Sequence, residues 1–336
     1  MLVVRPTRRE DHGEMLELAR LAGIGMTSLP PDADVLEQKI ARAVNSFSGK
    51  PEYPHAEAFL FSLEDTESGR IVGTTGVVAH VGIQRPFYSY KLSTIVQASE
   101  KVGVYSMNSV LHMVNDYTGA TELGSLFLTS GYRRDGIGRF LSRCRHLMLA
   151  EFPHLFSDIV ISEIRGVQDD GGESPFYNNL ARYFFQMPFK RADFIYATQG
   201  GQFIADLMPR YPIYVKLLPE VAQATIGRPL AASLPAKHML EEEGFTHGGY
   251  IDIFDAGPTM ECARERIRTV RKSHKSPIIA VAEPQGGEKY MIANTSLEQF
   301  RMTRERLART EEGVIITPAC AAALGVGVGD EVRYGV

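Results

Sequence analysis

The chain has 336 residues, 44% of them hydrophobic and 23% charged, with a formal net charge of −4. That balance describes an ordinary globular protein with room for one elaborated domain and a smaller one, and it excludes a disordered chain. No window reaches the uninterrupted apolar length of a membrane helix, and no Lys/Arg tract interleaved with aromatics points to nucleic acid.

The opening run MLVVRPTRRED holds a strand-like segment at 2–5 followed by charges. It predicts neither a secretory signal nor a usual transit peptide, so the cytoplasm is the expected compartment. Helical periodicity follows at about 10–22 and 34–48. FLFSLED (59–65) then turns through Thr66 to Gly69 into IVGTTGVVAHVG (71–82), a hairpin, and strand-like runs at 86–98 and 102–107 extend the sheet.

The most telling stretch comes next. LGSLFL (123–128) passes through a short polar turn into RRDGIG (133–138), and Ile137, Phe140, Leu141, Cys144, Leu147 and Met148 then recur at helical spacing. Gly136 and Gly138 lack the β-carbons that would keep a ligand from the backbone, and free N–H groups at a helix start suit a phosphate. Arg133 and Arg134 flank the turn, with Arg139 and Arg143 on the polar side of the helix, so the local field is basic. The order strand, glycine-bearing loop, helix predicts an anion site.

Farther on, the pattern predicts a strand at 157–164, a helix opening at Ser174-Pro175, a helix at 235–243 ending at Gly244, and a strand YIDIFD at 250–255. Beyond Arg271 the texture changes. PIIAVAEPQGGEKYMIAN reads as a hairpin, and the last stretch as a strand, a short helix capped at Gly325, and a strand after Gly329-Asp330. The expected fold class is α/β (α+β), a mixed sheet flanked by helices over 1–270, with a small, mostly β C-terminal subdomain over 275–336 serving stability or subunit contact.

Cys144, Cys262 and Cys320 are few and far apart, which argues against a disulfide framework; Cys144 falls on the apolar stripe of its helix and reads as core. The nine histidines show no metal-binding spacing, so no metal is expected.

The segment R-x-x-G-x-G at 133–138, after a strand and opening a helix, resembles the pyrophosphate loop of the GNAT superfamily of N-acetyltransferases, which bind acyl-coenzyme A. Much more of the chain resembles one branch, the arginine N-succinyltransferases, including the paired arginine/ornithine succinyltransferase subunits. The matching pieces are VVRP (3–6), TSLP (27–30), N-D-x-T-G (115–119), ELGSLFL (122–128), EIRGV (163–167), SPFY (174–177), RYFF (182–185), RADF (191–194), FIADLMPRYPIY (203–214), EGF (243–245) and YIDIFDAGPT (250–259). The resemblance implies a GNAT-like fold and succinyl transfer from succinyl-coenzyme A to the α-amine of L-arginine, a step of arginine catabolism. Succinyl-coenzyme A is then a co-substrate, with no permanently bound cofactor. The same kinship leaves open another acceptor such as ornithine, a homo-oligomer, and a weakly active subunit supporting a catalytic paralogue.

Acyl transfer to an amine needs a base for the ammonium proton, a donor for the developing oxyanion, and, where used, an acid for the departing thiolate. In the fold this chain resembles, the strand before the phosphate loop carries the pantetheine arm and the oxyanion donor. Leu126, Phe127 and Leu128 fall there, with Arg133, Arg134, Gly136, Ile137 and Gly138 at the phosphates; the side chain of Leu126 reads equally as core, so its part is assigned to the backbone. Glu163 is the first candidate base, and pairing with Arg165 is its structural alternative; Glu122 is a second candidate. The family's histidine acid corresponds to Leu230 here, and the commoner tyrosine of the superfamily to Leu240. His238, on the same helix as Leu240, is the candidate substitute, with a solvent-exposed helix histidine as its structural alternative. For substrates, Asp116 and the loop acids Asp169, Asp170 and Glu173 suit a guanidinium; Arg165, Thr27, Ser28 and the amides after Ser174 suit a carboxylate.

Overall fold

The computed structural model describes residues 1–23 and 26–335, which divide into two compact units. The first comprises 1–80, 121–160 and 263–336; the second comprises 81–120 and 161–262.

In the first unit, antiparallel strands run Thr121–Leu128, Arg70–Val78, Ala58–Asp65, Leu2–Pro6 and Met302–Arg309 in spatial order. Two helices cover this sheet. His12–Ala22 and Ala33–Phe47 bury Met15, Leu18, Leu36 and Ile40 against Leu60 and Ile71. The second of them begins where Asp32 accepts a hydrogen bond from the Val35 amide, a side-chain cap that its sequence position favours. Buried apolar residues at the expected helical spacing also hold Ile137–Glu151, the helix after the loop.

Strand Met302–Arg309 does double duty. It pairs with Leu2–Pro6 and also joins Glu288–Asn294, Glu331–Gly335, His274–Val281 and Val314–Ile316 in a closed ring of five strands. Ile278, Ile292, Leu307, Ile316 and Val332 fill this small barrel. Thr317 caps helix Pro318–Leu324 through the Cys320 amide, and Gly325 ends it in the left-handed conformation (φ +68°). The expected helix and last strand are present, but the expected hairpin needs correction: His274–Val281 and Glu288–Asn294 are both strands, yet Glu331–Gly335 lies between them and pairs with each, closing the ring in place of a direct pairing. Met302–Arg309 was not anticipated, because its MTRERLAR pattern carries charges on its exposed face.

The second unit is built on a long hairpin, Ser89–Ser99 with Val104–Val114, flanked by Thr246–Asp252 and by the short strand Ile213–Tyr214. Short helices between 175 and 223 pack Phe176, Tyr177, Phe185, Phe189 and Ile204 around Phe254 and Tyr90. The expected strand 250–255 needs correction: it ends at Asp252, and residues 253–255 form a turn. Asp252 Oδ1 accepts from the amides of Phe254 and Asp255 at 2.8 and 2.7 Å, an Asx-type turn that ends the ladder.

Candidate active site

In the first unit, the loop-bearing strand is irregular where the resemblance places the thioester. Its register with Arg70–Val78 runs Gly124↔Gly76, then shifts before Phe127↔Thr74, so Ser125 and Leu126 stand opposite Thr75 alone. Ser125 has φ +53°, a left-handed conformation rare for a residue with a β-carbon. Ser28, from the TSLP turn, locks this bulge: its Oγ accepts from the Ser125 amide at 2.9 Å, and its carbonyl accepts from Ser125 Oγ at 3.0 Å and from Lys39 Nζ at 3.3 Å. Thr75 Oγ1 is buried beside the bulge without a hydrogen-bond partner. Close approach of the two strands also explains Gly73, where a Cβ would stand 2.9 Å from the carbonyl oxygen of Phe127.

At the end of this strand the chain turns through Ser130–Tyr132 and enters the loop. Tyr132 donates to Asp65 Oδ2 at 2.7 Å, and that bond holds the Asp65 carboxyl below its usual range. Arg133 folds back, its Nε donating to the carbonyl of Leu128 at 2.8 Å with its guanidinium over the Phe127 ring. Arg134 extends into solvent. Asp135 and Gly136 are both left-handed, φ +52° and +72°, and Gly136 caps the long helix. Ile137 turns its side chain into the core, so only its backbone is left facing the loop; at Gly138 a Cβ would meet nothing nearer than Leu128 at 4.0 Å. First-turn amides of a helix have no carbonyl one turn behind them, which leaves donors for an anion. Glu122, on the same strand, has its carboxyl pushed above the ordinary range by burial, with Lys39 opposing the shift.

In the second unit, Glu163 ends strand Ile159–Glu163 and is half-buried, and its charge helps raise the phenol pKa of Tyr117 after burial and the Glu261 bond. Tyr117 donates to Glu261 Oε2 at 2.5 Å and its ring lies 4.6 Å from that of Tyr250. Tyr250 in turn donates to Asp116 Oδ2 at 2.8 Å, and Lys91 stands 3.6 Å from the same carboxylate. Asp116 is therefore an exposed acid already engaged with a tyrosine and a lysine.

Arg165 lies in a buried charge cluster. Nη2 donates to Asp193 Oδ2 at 2.8 Å, Nε lies 3.4 Å from Asp255 Oδ2, and the guanidinium sits over the Phe189 ring. Burial disfavours its charge, but Asp255 and Asp193 more than compensate and push its pKa up. Asp193 and Asp252 are themselves raised by burial. Both acids of the pairs were legible as parts of RADF and YIDIFD, yet nothing in local spacing joins them to EIRGV. Glycines make the junction: a Cβ on Gly166 would stand 2.2 Å from Asp255 O, and one on Gly257 would stand 2.0 Å from Ile164 O.

Leu230 is half-buried, and its amide donates to the Arg165 carbonyl at 2.7 Å. His238 is exposed on helix Leu234–Glu243. Sequence reasoning passed over His247, whose Nδ1 lies 3.2 Å from the Thr259 carbonyl and whose Nε2 lies 3.6 Å from where a Cβ on Gly227 would be. Ser174 is wholly buried; its Oγ accepts from the Tyr177 amide at 3.2 Å as the cap of helix Pro175–Asn179. Asp169 Oδ1 accepts from the Glu173 amide, which closes their loop on itself. Among the described residues no group of His, Cys, Asp and Glu could hold a metal ion, and no helix is long and apolar enough to cross a membrane.

Residues 2–269 match the family described as arginine N-succinyltransferase beta subunit, and residues 270–334 match its C-terminal domain. The arginine N-succinyltransferase of Yersinia enterocolitica is 41% identical over 335 residues, covering 99% of this chain and 97% of its own. An Escherichia coli protein of the same name is 40% identical over 338 residues, with the same coverages. Among solved structures, arginine/ornithine succinyltransferase subunit AI from Pseudomonas aeruginosa superposes with a TM-score of 0.90 at 35% identity, covering 100% of this chain and 98% of that one.

Proposed function

This chain belongs to the arginine N-succinyltransferase family, and on that footing we propose that it transfers the succinyl group of succinyl-coenzyme A to the α-amine of L-arginine. The observation that carries the reading is full-length kinship, which spans both the bulged strand with its glycine loop and the C-terminal barrel. The acyl-coenzyme A enters as co-substrate, with its phosphates at Gly136 to Gly138 and its pantetheine arm along Leu126 to Leu128. A backbone amide at the Ser125–Leu126 bulge meets the thioester oxygen as it gains charge, and Ser28 keeps the bulge open by holding the neighbouring amide.

Glu163 is the proposed base. It is half-buried at the end of its strand, with its charge felt by Tyr117, and its carboxylate can accept an ammonium proton directly or through a water. Glu122 is the second reading, favoured by its upward-shifted carboxyl. Asp116 offers a carboxylate to the guanidinium. Arg165 serves by holding Asp193 and Asp255, which orders the segment that follows Glu163, and Ser174 by fixing the helix start beside that segment.

The test is thiol release by the purified chain with succinyl-coenzyme A and L-arginine, run in parallel with acetyl-coenzyme A and with L-ornithine. Arginine-dependent release selective for the succinyl donor is expected. Equal release with the acetyl donor, or release with ornithine alone, would replace this substrate assignment, and Glu163→Gln against Glu122→Gln separates the two bases by which one loses kcat.

A further inference from the structure

The glycine loop has a neighbour from 169 positions farther along the chain. Arg304 follows Met302 and Thr303, the two residues that join the C-terminal barrel to the first strand by pairing with Val4 and Val3. It is exposed, and it directs both terminal guanidinium nitrogens at one atom, the carbonyl oxygen of Asp135, at 3.1 Å each. Its Nη1 lies 3.6 Å from where a Cβ on Gly136 would stand.

Asp135 needs such an anchor. Its left-handed φ of +52° is uncommon for a residue with a β-carbon, and it is followed at once by Gly136, which takes the left-handed conformation at no cost, so one uncommon backbone conformation, at Asp135, sets the entry to the long helix. A carbonyl gripped by two charged donors is fixed in direction as well as position. The guanidinium keeps three of its five N–H groups and its whole charge at the mouth of the loop.

We propose that Arg304 is a positioning residue for the phosphates of acyl-coenzyme A: it holds the Asp135 carbonyl so that the loop presents its amides to the anion, and it adds a cation that the loop segment itself does not encode. The inference rests on residues 133–138 being the phosphate loop. It also gives the C-terminal barrel a part in ligand binding, since the barrel strand carries the arginine.

Coenzyme A is titrated calorimetrically into the full-length chain, its Arg304→Ala, Arg304→Lys and Gly136→Val variants, with a thermal melt of each. Arg304→Ala is expected to weaken binding about tenfold at an unchanged melting temperature, and Arg304→Lys about threefold, because an ammonium keeps the charge but not the fork. The KM for L-arginine should stay at the wild-type value in both. Wild-type affinity in Arg304→Ala with weakened binding in Gly136→Val would overturn the role of Arg304 and leave the loop intact. Wild-type affinity in both would remove the loop reading together with it. Wild-type affinity in Arg304→Lys, or a loss in Arg304→Ala that only tracks a lowered melting temperature, would also overturn the proposal.

Discussion

Each unit buries an arginine among carboxylates, and the two are solved differently. In the first, Arg5 forks onto Asp11 at 2.7 and 2.9 Å and also bonds Glu64, so that burial of the guanidinium is matched by partners on every side. In the second, Arg165 faces Asp193 and Asp255 with Asp252 close by, yet Arg165 Nε, Asp193 Oδ1 and Asp255 Oδ2 are buried without a hydrogen-bond partner. The first is a closed structural clamp between the first strand and the residues after it. The second is an unbalanced cluster, three acids to one base, held in place by the glycine junction at 166 and 257. A buried group left partly unpaired is expensive, and proteins keep such groups where chemistry or substrate needs them.

Deleting each cation is the strongest way to break the comparison. Arg165→Ala strands Asp193 and Asp255, whose side chains are 5% and 1% exposed, and is expected to lose about 3–5 kcal/mol, read as the urea midpoint. Arg5→Ala should lose less, about 2–3 kcal/mol, because Glu64 is 25% exposed and can be rehydrated. Equal losses would mean that the second cluster is as well balanced as the first.

The two clusters should also respond to pH with opposite signs. Burial opposes ionisation of Asp11, but the Arg5 fork outweighs it and holds the carboxyl below its usual range. Its contribution to stability is therefore present above the ordinary carboxylate value of about 3.9 and is lost as pH falls through the folded-state value. Asp252 is pushed up to about 8, first by burial and then by the charge of Asp255. Its contribution is complete below about pH 4 and is lost as pH rises through about 8. Urea midpoints between pH 3 and pH 9 should thus fall at the acid end less steeply in Asp11→Asn, and at the alkaline end less steeply in Asp252→Asn, which keeps the oxygen that accepts from Phe254 and Asp255. An unchanged alkaline slope in Asp252→Asn would put the titration elsewhere.

The same contrast explains what the sequence disclosed. Strand, loop and helix at 121–151 were legible because backbone sites leave local marks: an apolar run, glycines at the turn, a helical stripe. Ser28 and Arg304 act on that same backbone from positions 97 and 169 residues away, and no local pattern links them to it. In the second unit the motif residues were all visible, but VVRP and EIRGV look alike as strings. Only long-range contact separates the satisfied arginine from the unbalanced one. YIDIFD read as a strand for a related reason: its alternation is real up to Asp252, and the bend depends on a side chain that caps its own backbone.

The smallest expected effect concerns the missing acid. The resemblance puts Leu230 at the family's histidine position; a leucine cannot donate a proton, and its amide is tied to the Arg165 carbonyl. His238 lies exposed on a helix in the same unit. A thiolate, with a conjugate acid near pKa 8.5, leaves tolerably at neutral pH without help, whereas an alkoxide would not. His238→Ala should accordingly keep kcat within about twofold and leave the alkaline limb of the pH–rate profile where it stands. If instead kcat falls about a hundredfold and that limb shifts, the acid is His238, and the second unit supplies a proton by a side chain that solvent already reaches. If nothing changes, the unbalanced cluster around Arg165 has only to hold the substrate-side segment in place, and departure of coenzyme A rests on the chemistry of the thiolate itself.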